Sequence, residues 1–174
     1  MSAHDFLEEH RKQWTPLPEE ELDGLSEEHR NEIRQFEEVA INGEFAALSD
    51  IILNCTNKFQ FAKTYKVLRA DYRRTVANTD LANSVFPPEV TRLIRKIALS
   101  VIERKLSDMA MWFWLQWRDP DDHLQTTPPG GLKDPRKYIE QFTNSGCLLG
   151  GIIFLLPWST AIGVAYVVFF KFFN

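Results

Sequence analysis

No glycine occurs from Glu44 to Pro129, and no proline from Glu19 to Phe86. These two residue types supply most of the backbone geometry that hairpins and tight loops need, glycine by reaching positive φ and proline by presetting φ at a turn. A long middle section without them is left with helices joined by short connections. The chain is therefore expected to be all-α, with a small helical domain of about four to five helices followed by a single C-terminal transmembrane helix.

The helices can be placed from their start and stop signals. Ser2-Ala-His-Asp5 has capping-box spacing, with Phe6, Leu7 and Trp14 as apolar contacts of a short first helix that Thr15-Pro-Leu-Pro18 breaks. Ser26 offers an N-cap for a helix carrying Ile33, Phe36 and Ala40 on one face, with a stop expected near Asn42-Gly43. Phe45, Leu48, Ile52 and Cys55 set out the next helix, and Phe61, Tyr65, Leu68 and Tyr72 another that ends around Asn78. Phe86-Pro-Pro88 starts the longest one, which carries Val90, Ile94, Ile97, Val101, Leu106, Met109, Phe113 and Trp117. Asp119 to Gly131 reads as a linker, and Lys133 to Phe142 as a short juxtamembrane helix. The expected organisation is a helical extramembrane domain over 1–118, a Pro/Gly linker and juxtamembrane segment over 119–146, a transmembrane helix over 147–170 and a short tail over 171–174.

The transmembrane expectation rests on thirty uncharged residues in a row, Gln141 to Phe170. Cys147 to Phe170 is their apolar part, about 36 Å long as a helix, against a bilayer core roughly 30 Å thick. Eleven of the residues from Ile152 to Phe170 are Leu, Ile, Val or Phe, worth about −3 to −7 kcal/mol on an insertion scale. Pro157 removes one backbone donor near the middle, with Ser159 and Thr160 close by. Gly146 and Gly150, Ser159 and Gly163, and Ala161 and Ala165 are each four apart, so each pair shares a face that a partner helix can approach closely. Lys133, Arg136 and Lys137 precede the segment and Lys171 follows it, a bias that places the N-terminal domain on the cytosolic or matrix side.

Net charge is −4 but unevenly spread. Residues 1–50 hold 14 acidic and 4 basic side chains, whereas residues 58–105 hold 4 acidic and 11 basic. Two surfaces of opposite sign can meet within the fold or dock on partners. Cys55 and Cys147 do not make a disulfide framework, which suits a reducing compartment. The N-terminus carries Asp5, Glu8 and Glu9 without an apolar run, unlike a secretory signal or an Arg-rich transit peptide.

The chemistry-bearing patterns are sparse. No His has a Glu three residues before it, and no Cys pair or His-Glu-x-x-His occurs. No Gly-Lys-Ser/Thr loop or Gly-x-Ser-x-Gly elbow occurs either. Asp119, Asp121, Asp122 and His123 form the only dense ligand-like group and lack the spacing of a calcium loop. No enzyme activity, cofactor, metal site or nucleic-acid partner is expected. Two contact surfaces stand out instead. Lys63, Lys66, Arg69, Arg73 and Arg74 form a basic helix face, read as a solvated face or as a contact for an acidic partner or anionic lipid. Trp112, Trp114 and Trp117 cannot share one narrow stripe at about 100° per residue, so part of this aromatic surface must be exposed or covered by another element.

These features describe a non-catalytic single-pass accessory subunit that supports assembly or stability of a larger membrane complex, in the mitochondrial inner membrane before the endoplasmic reticulum. Its partners would be other subunits of that complex and the lipid bilayer, anionic lipid included. The alternative is a tail-anchored adaptor of a mitochondrial outer or endoplasmic-reticulum membrane whose helical domain binds a soluble partner.

Overall fold

A computed structural model describes residues 1–77, 86–117 and 135–145. The expected membrane helix over 147–170 and the tail over 171–174 lie outside the described residues, as do Gly146, Cys147, Gly150, Ser159, Gly163 and the Asp119–His123 group. Among the described residues there is no strand, and no helix is long and apolar enough to cross a membrane.

Five helices make up the described chain: α1 (Ala3–Arg11), α2 (Glu27–Asn54), α3 (Lys58–Ala77), α4 (Pro88–Trp117) and α5 (Pro135–Ser145), with a 3₁₀ turn at Glu19–Leu22. The start signals act as their chemistry demands. At α1 the Asp5 amide donates to Ser2 Oγ (3.1 Å) while the Ser2 amide donates to Asp5 Oδ2 (3.2 Å), a reciprocal capping box. The side-chain and backbone hydrogen bonds from Ser2 hold the Asp5 carboxyl below the usual carboxylate range. Ser26 Oγ accepts from the His29 amide at the head of α2, and Pro88 opens α4 where a missing N–H costs nothing. Asn57 caps α3, its Oδ1 accepting from the Phe59 and Gln60 amides at 2.8 and 3.3 Å. At the other end of α3, Arg95 Nη2 donates to the carbonyls of Thr75 and Val76, placing a cation on the negative helix terminus.

Two boundaries differ from expectation: α5 continues past Phe142 to Ser145, and α2 does not break. The stop near Asn42-Gly43 does not occur: α2 runs unbroken from Glu27 to Asn54. Its inward positions Ile33, Glu37, Ala40, Glu44, Leu48 and Ile52 keep 3–4 spacing straight through Gly43, so packing against α4 continues across the glycine. That packing outweighs the roughly 1 kcal/mol that an interior glycine costs. A Cβ at Gly43 would meet nothing within 4 Å, and its φ is not in the left-handed region. Gly43→Ala is accordingly expected to stabilise the protein by about 0.5–1 kcal/mol; a lower denaturation midpoint would show that α2 needs the glycine. Gly24 is the opposite case, with φ of +84° in the bend that links the 3₁₀ turn to the Ser26 cap.

α4 is the axis of the molecule and packs against α2, α3 and α5. Its first half, with Val90, Leu93, Ile97 and Val101, buries against Leu22 and Ile33. Its second half, with Leu106, Met109, Ala110, Trp112 and Phe113, buries against Phe6 and Leu7 of α1, Leu48 and Ile52 of α2, Phe61, Ala62 and Tyr65 of α3, and Ile139 of α5. The start of α2 therefore meets the start of α4, and the two run parallel. Phe61 meets Phe113 and Trp117 while Thr75 and Val76 meet Arg95, so α3 runs antiparallel to α4. At about 1.5–3 kcal/mol for each large apolar side chain fully buried, these two clusters are the main favourable term.

Candidate functional site

Two features of the bundle carry chemistry: the end where the α2–α3 connection and the C-termini of α4 and α5 meet, and a line of buried charges along α4. At that end Phe142 packs on Phe59 and Phe113, both with ring centroids 5.2 Å away, and Trp117 packs on Phe61 (5.2 Å) and Phe113 (5.0 Å). Lys58 Nζ stands 5.5 Å from the ring centroids of both Phe59 and Phe142. The Tyr138 hydroxyl donates to the Trp117 carbonyl (3.3 Å), so α5 closes the last turn of α4. Arg69 and Glu140 form an ion pair at 2.6 Å, and Arg136 pairs with Glu103 at 3.3 Å. Helix α5 is thus docked on the bundle through Ile139, which is fully buried.

The expected contact residues separate on this surface. Lys63, Lys66, Arg73 and Arg74 are exposed along α3, whereas Arg69 is half-buried against Glu140. Arg74 pairs with Asp71. Trp112 is buried, tilted over Phe6 with centroids 5.1 Å apart, while Trp114 and Trp117 are partly buried. The three tryptophans do point different ways. Trp112 and Trp117 find cover because α4 has neighbours on several sides, with α1 over Trp112 and α3 with α5 over Trp117.

The buried charges escaped the sequence reading. Asp108 is only 2% exposed and accepts from His10 Nδ1 (3.0 Å) and Trp14 Nε1 (2.9 Å), with Arg104 Nε 3.3 Å from its carboxylate. An ionised Asp108 can only accept, so the contact selects the His10 tautomer with its proton on Nδ1. His10 also stacks on Phe6 at 4.0 Å, and Arg104 donates to Gln13. One turn earlier, buried Lys105 pairs with Glu44. Further along the N-terminal segment, buried Glu37 accepts from the Leu17 amide (2.5 Å) and from Arg34 (2.7 Å). Arg34 in turn donates to the Leu17 carbonyl (2.8 Å) and to Glu19 (2.6 Å). Burial works against the Arg34 charge, yet the hydrogen bonds to Glu37 and Glu19 outweigh it and raise its pKa. A signal for this network was present: Lys105 and Asp108 fall at helical spacing between Val101 and Trp112, on the stripe that must be buried.

The remaining features are modest. An open cleft of about 370 Å³ along α4 is lined by Arg92, Arg95, Lys96, Leu99, Ser100 and Glu103. Arg95 is engaged in capping α3, Lys96 pairs with Glu21, and Glu103 pairs with Arg136 and accepts from the Tyr72 hydroxyl. Burial and the Glu103 carboxylate push the Tyr72 phenol up. Burial likewise pushes the Cys55 thiol up, away from a reactive thiolate. Among the described residues, no group of His, Cys, Asp and Glu side chains is placed to hold a metal ion.

The described residues define an all-helical protein organised around one long axial helix. The chain matches no protein-family model, no curated protein and no solved structure.

Proposed function

We propose that this chain is a non-catalytic, single-pass accessory subunit of a larger membrane complex, with its helical body on the cytosolic or matrix side. The observation that carries the reading is the run of thirty uncharged residues, Gln141 to Phe170, which begins within α5. Helix α5 adds support because it is fixed to the bundle by Ile139, Phe142 and the Arg69–Glu140 pair. An anchor joined to so firmly docked a helix would hold the domain close to the bilayer, at a set place beside its neighbours. Packing of the anchor on a partner helix would use Gly146, Gly150, Ser159 and Gly163.

The test is gentle detergent extraction of the native membrane, followed by native-gel mass and identification of whatever co-migrates. A large stoichiometric assembly is the expected result, and its other members name the process. Migration as a single chain plus detergent would refute the subunit reading. Gly163→Leu is expected to lower recovery of the assembled form by about tenfold, the loss that about 1.4 kcal/mol of helix packing would produce. The variant should stay in the membrane fraction, and unchanged assembly would refute packing at that face.

A further inference from the structure

Beyond the anchor itself, and resting on that reading, we propose that the α2–α3 end of the bundle is a docking surface for an anionic bilayer. Leu53, Lys58 and Phe59 would lie in the headgroup layer. Three observations converge there. The first is where the chain leaves the described structure. Helix α5 ends at Ser145 beside this end, with Phe142 against Phe59, so an anchor starting at Cys147 brings this end of the domain to the membrane first.

The second is apolar exposure. Leu53 and Phe59 are each 57% exposed at this end, one at the close of α2 and the other in the first turn of α3. Among the described residues, the other exposed large apolar side chains of the helices, Val39 and Val76, stand singly elsewhere. An aromatic ring flanked by a lysine suits the interface, where the ring meets acyl chains and the ammonium meets phosphate. Lys58 already sits over the Phe59 and Phe142 rings, holding a cation beside the apolar pair.

The third is charge. Residues 51–70 contain Lys58, Lys63, Lys66 and Arg69 and not one Asp or Glu. Asp50, one turn before the close of α2, accepts from Asn54 and keeps its charge, and Arg69 is offset by Glu140, so Lys58, Lys63 and Lys66 set the sign of the stretch. The opposite end mixes the two signs: Glu19, Glu20, Glu21, Asp23, Glu27 and Glu28 share it with Arg73 and Arg74 near the close of α3 and with Arg92, Arg95 and Lys96 in the first turns of α4, and Lys96 pairs with Glu21. What sets the α2–α3 end apart is its exposed apolar pair beside a basic stretch that holds no carboxylate.

Helix α2 serves as the ruler for the test. In the full chain carrying Cys55→Ser and Cys147→Ser, a nitrobenzoxadiazole probe is placed through Asn54→Cys or Glu28→Cys, roughly 39 Å apart along the helix. The protein is reconstituted in phosphatidylcholine vesicles containing phosphatidylglycerol and a headgroup-level spin-labelled lipid. The Asn54 probe should be quenched and the Glu28 probe should not. Lys58→Gln should lower the docked-to-undocked ratio by about fivefold, the weight of one lysine near an anionic surface. The Leu53→Ser, Phe59→Ser double variant should lower it further. Equal quenching at both positions, in protein that resists alkaline carbonate, would overturn the docking and leave the anchor standing. A contrast that none of the three substitutions changes would overturn the assignment to this surface. Release of the protein by carbonate would overturn the anchor, and the docking with it.

Discussion

Asp108→Ala is expected to lower the folding free energy by about 3 kcal/mol, near the bottom of the range for breaking a buried ionic cluster from one side. The substitution removes the acceptor shared by His10, Trp14 and Arg104 and strands their donors in a site that water does not reach freely. It also releases the N-terminal segment from α4, since two of the three donors lie on residues 10 and 14. Denaturant unfolding should show a reduced midpoint, with faster amide exchange in α1 than in α2. Asp108→Asn keeps an acceptor for Trp14 and should lose less. Pairing Asp108→Ala with Trp14→Phe should give a coupling energy of about 1 kcal/mol, since neighbours in one network do not add. A loss under about 0.5 kcal/mol, the range of ordinary surface substitutions, would show that the network does not hold the N-terminal segment.

Phe113→Ala is the second large effect, expected at about 3–5 kcal/mol for a fully buried aromatic side chain. The Phe113 ring touches Phe61, Trp117, Tyr138 and Phe142, and so joins α3, α4 and α5 at one point. The loss should be uneven. Amide exchange should accelerate first in α5, whose fully buried Ile139 sits in the same cluster. Exchange rising equally in α2 and α5 would mean that α5 does not come away as a separate unit.

Much of the helical layout can be read from residue chemistry because its signals are local. The Ser2–Asp5 box, the Ser26 cap, the Pro88 start and the Phe61–Tyr65–Leu68–Tyr72 spacing each need only a few neighbouring residues to be meaningful. Gly43 misleads for the same reason. Its local preference points to a stop, and only contact with α4 along the whole of α2 reveals why the helix continues. The buried charges are the other gap. Asp108 and His10 are 98 residues apart, and Lys105 and Glu44 are 61 apart, so no window on the sequence contains both partners. The tryptophans occupy a middle position: a helical wheel shows that they diverge, but which neighbour covers each one is a tertiary fact. For the proposed membrane contact, Lys58 and Phe59 are conspicuous in sequence only as part of a basic stretch. Their place beside the end of α5 comes from the folded chain.

The span between His10 and Asp108 also sets a schedule. At about 5–20 residues per second, a ribosome needs roughly 5–20 seconds to extend the chain from one to the other. Through that interval the α1 segment, too short at nine residues to hold a helix alone, lacks its carboxylate partner, and Phe6 and Leu7 have no Trp112 or Met109 to cover them. The segment that becomes α1 therefore waits for most of the bundle to be made, and its apolar side chains lack the cover of α4 until that helix emerges.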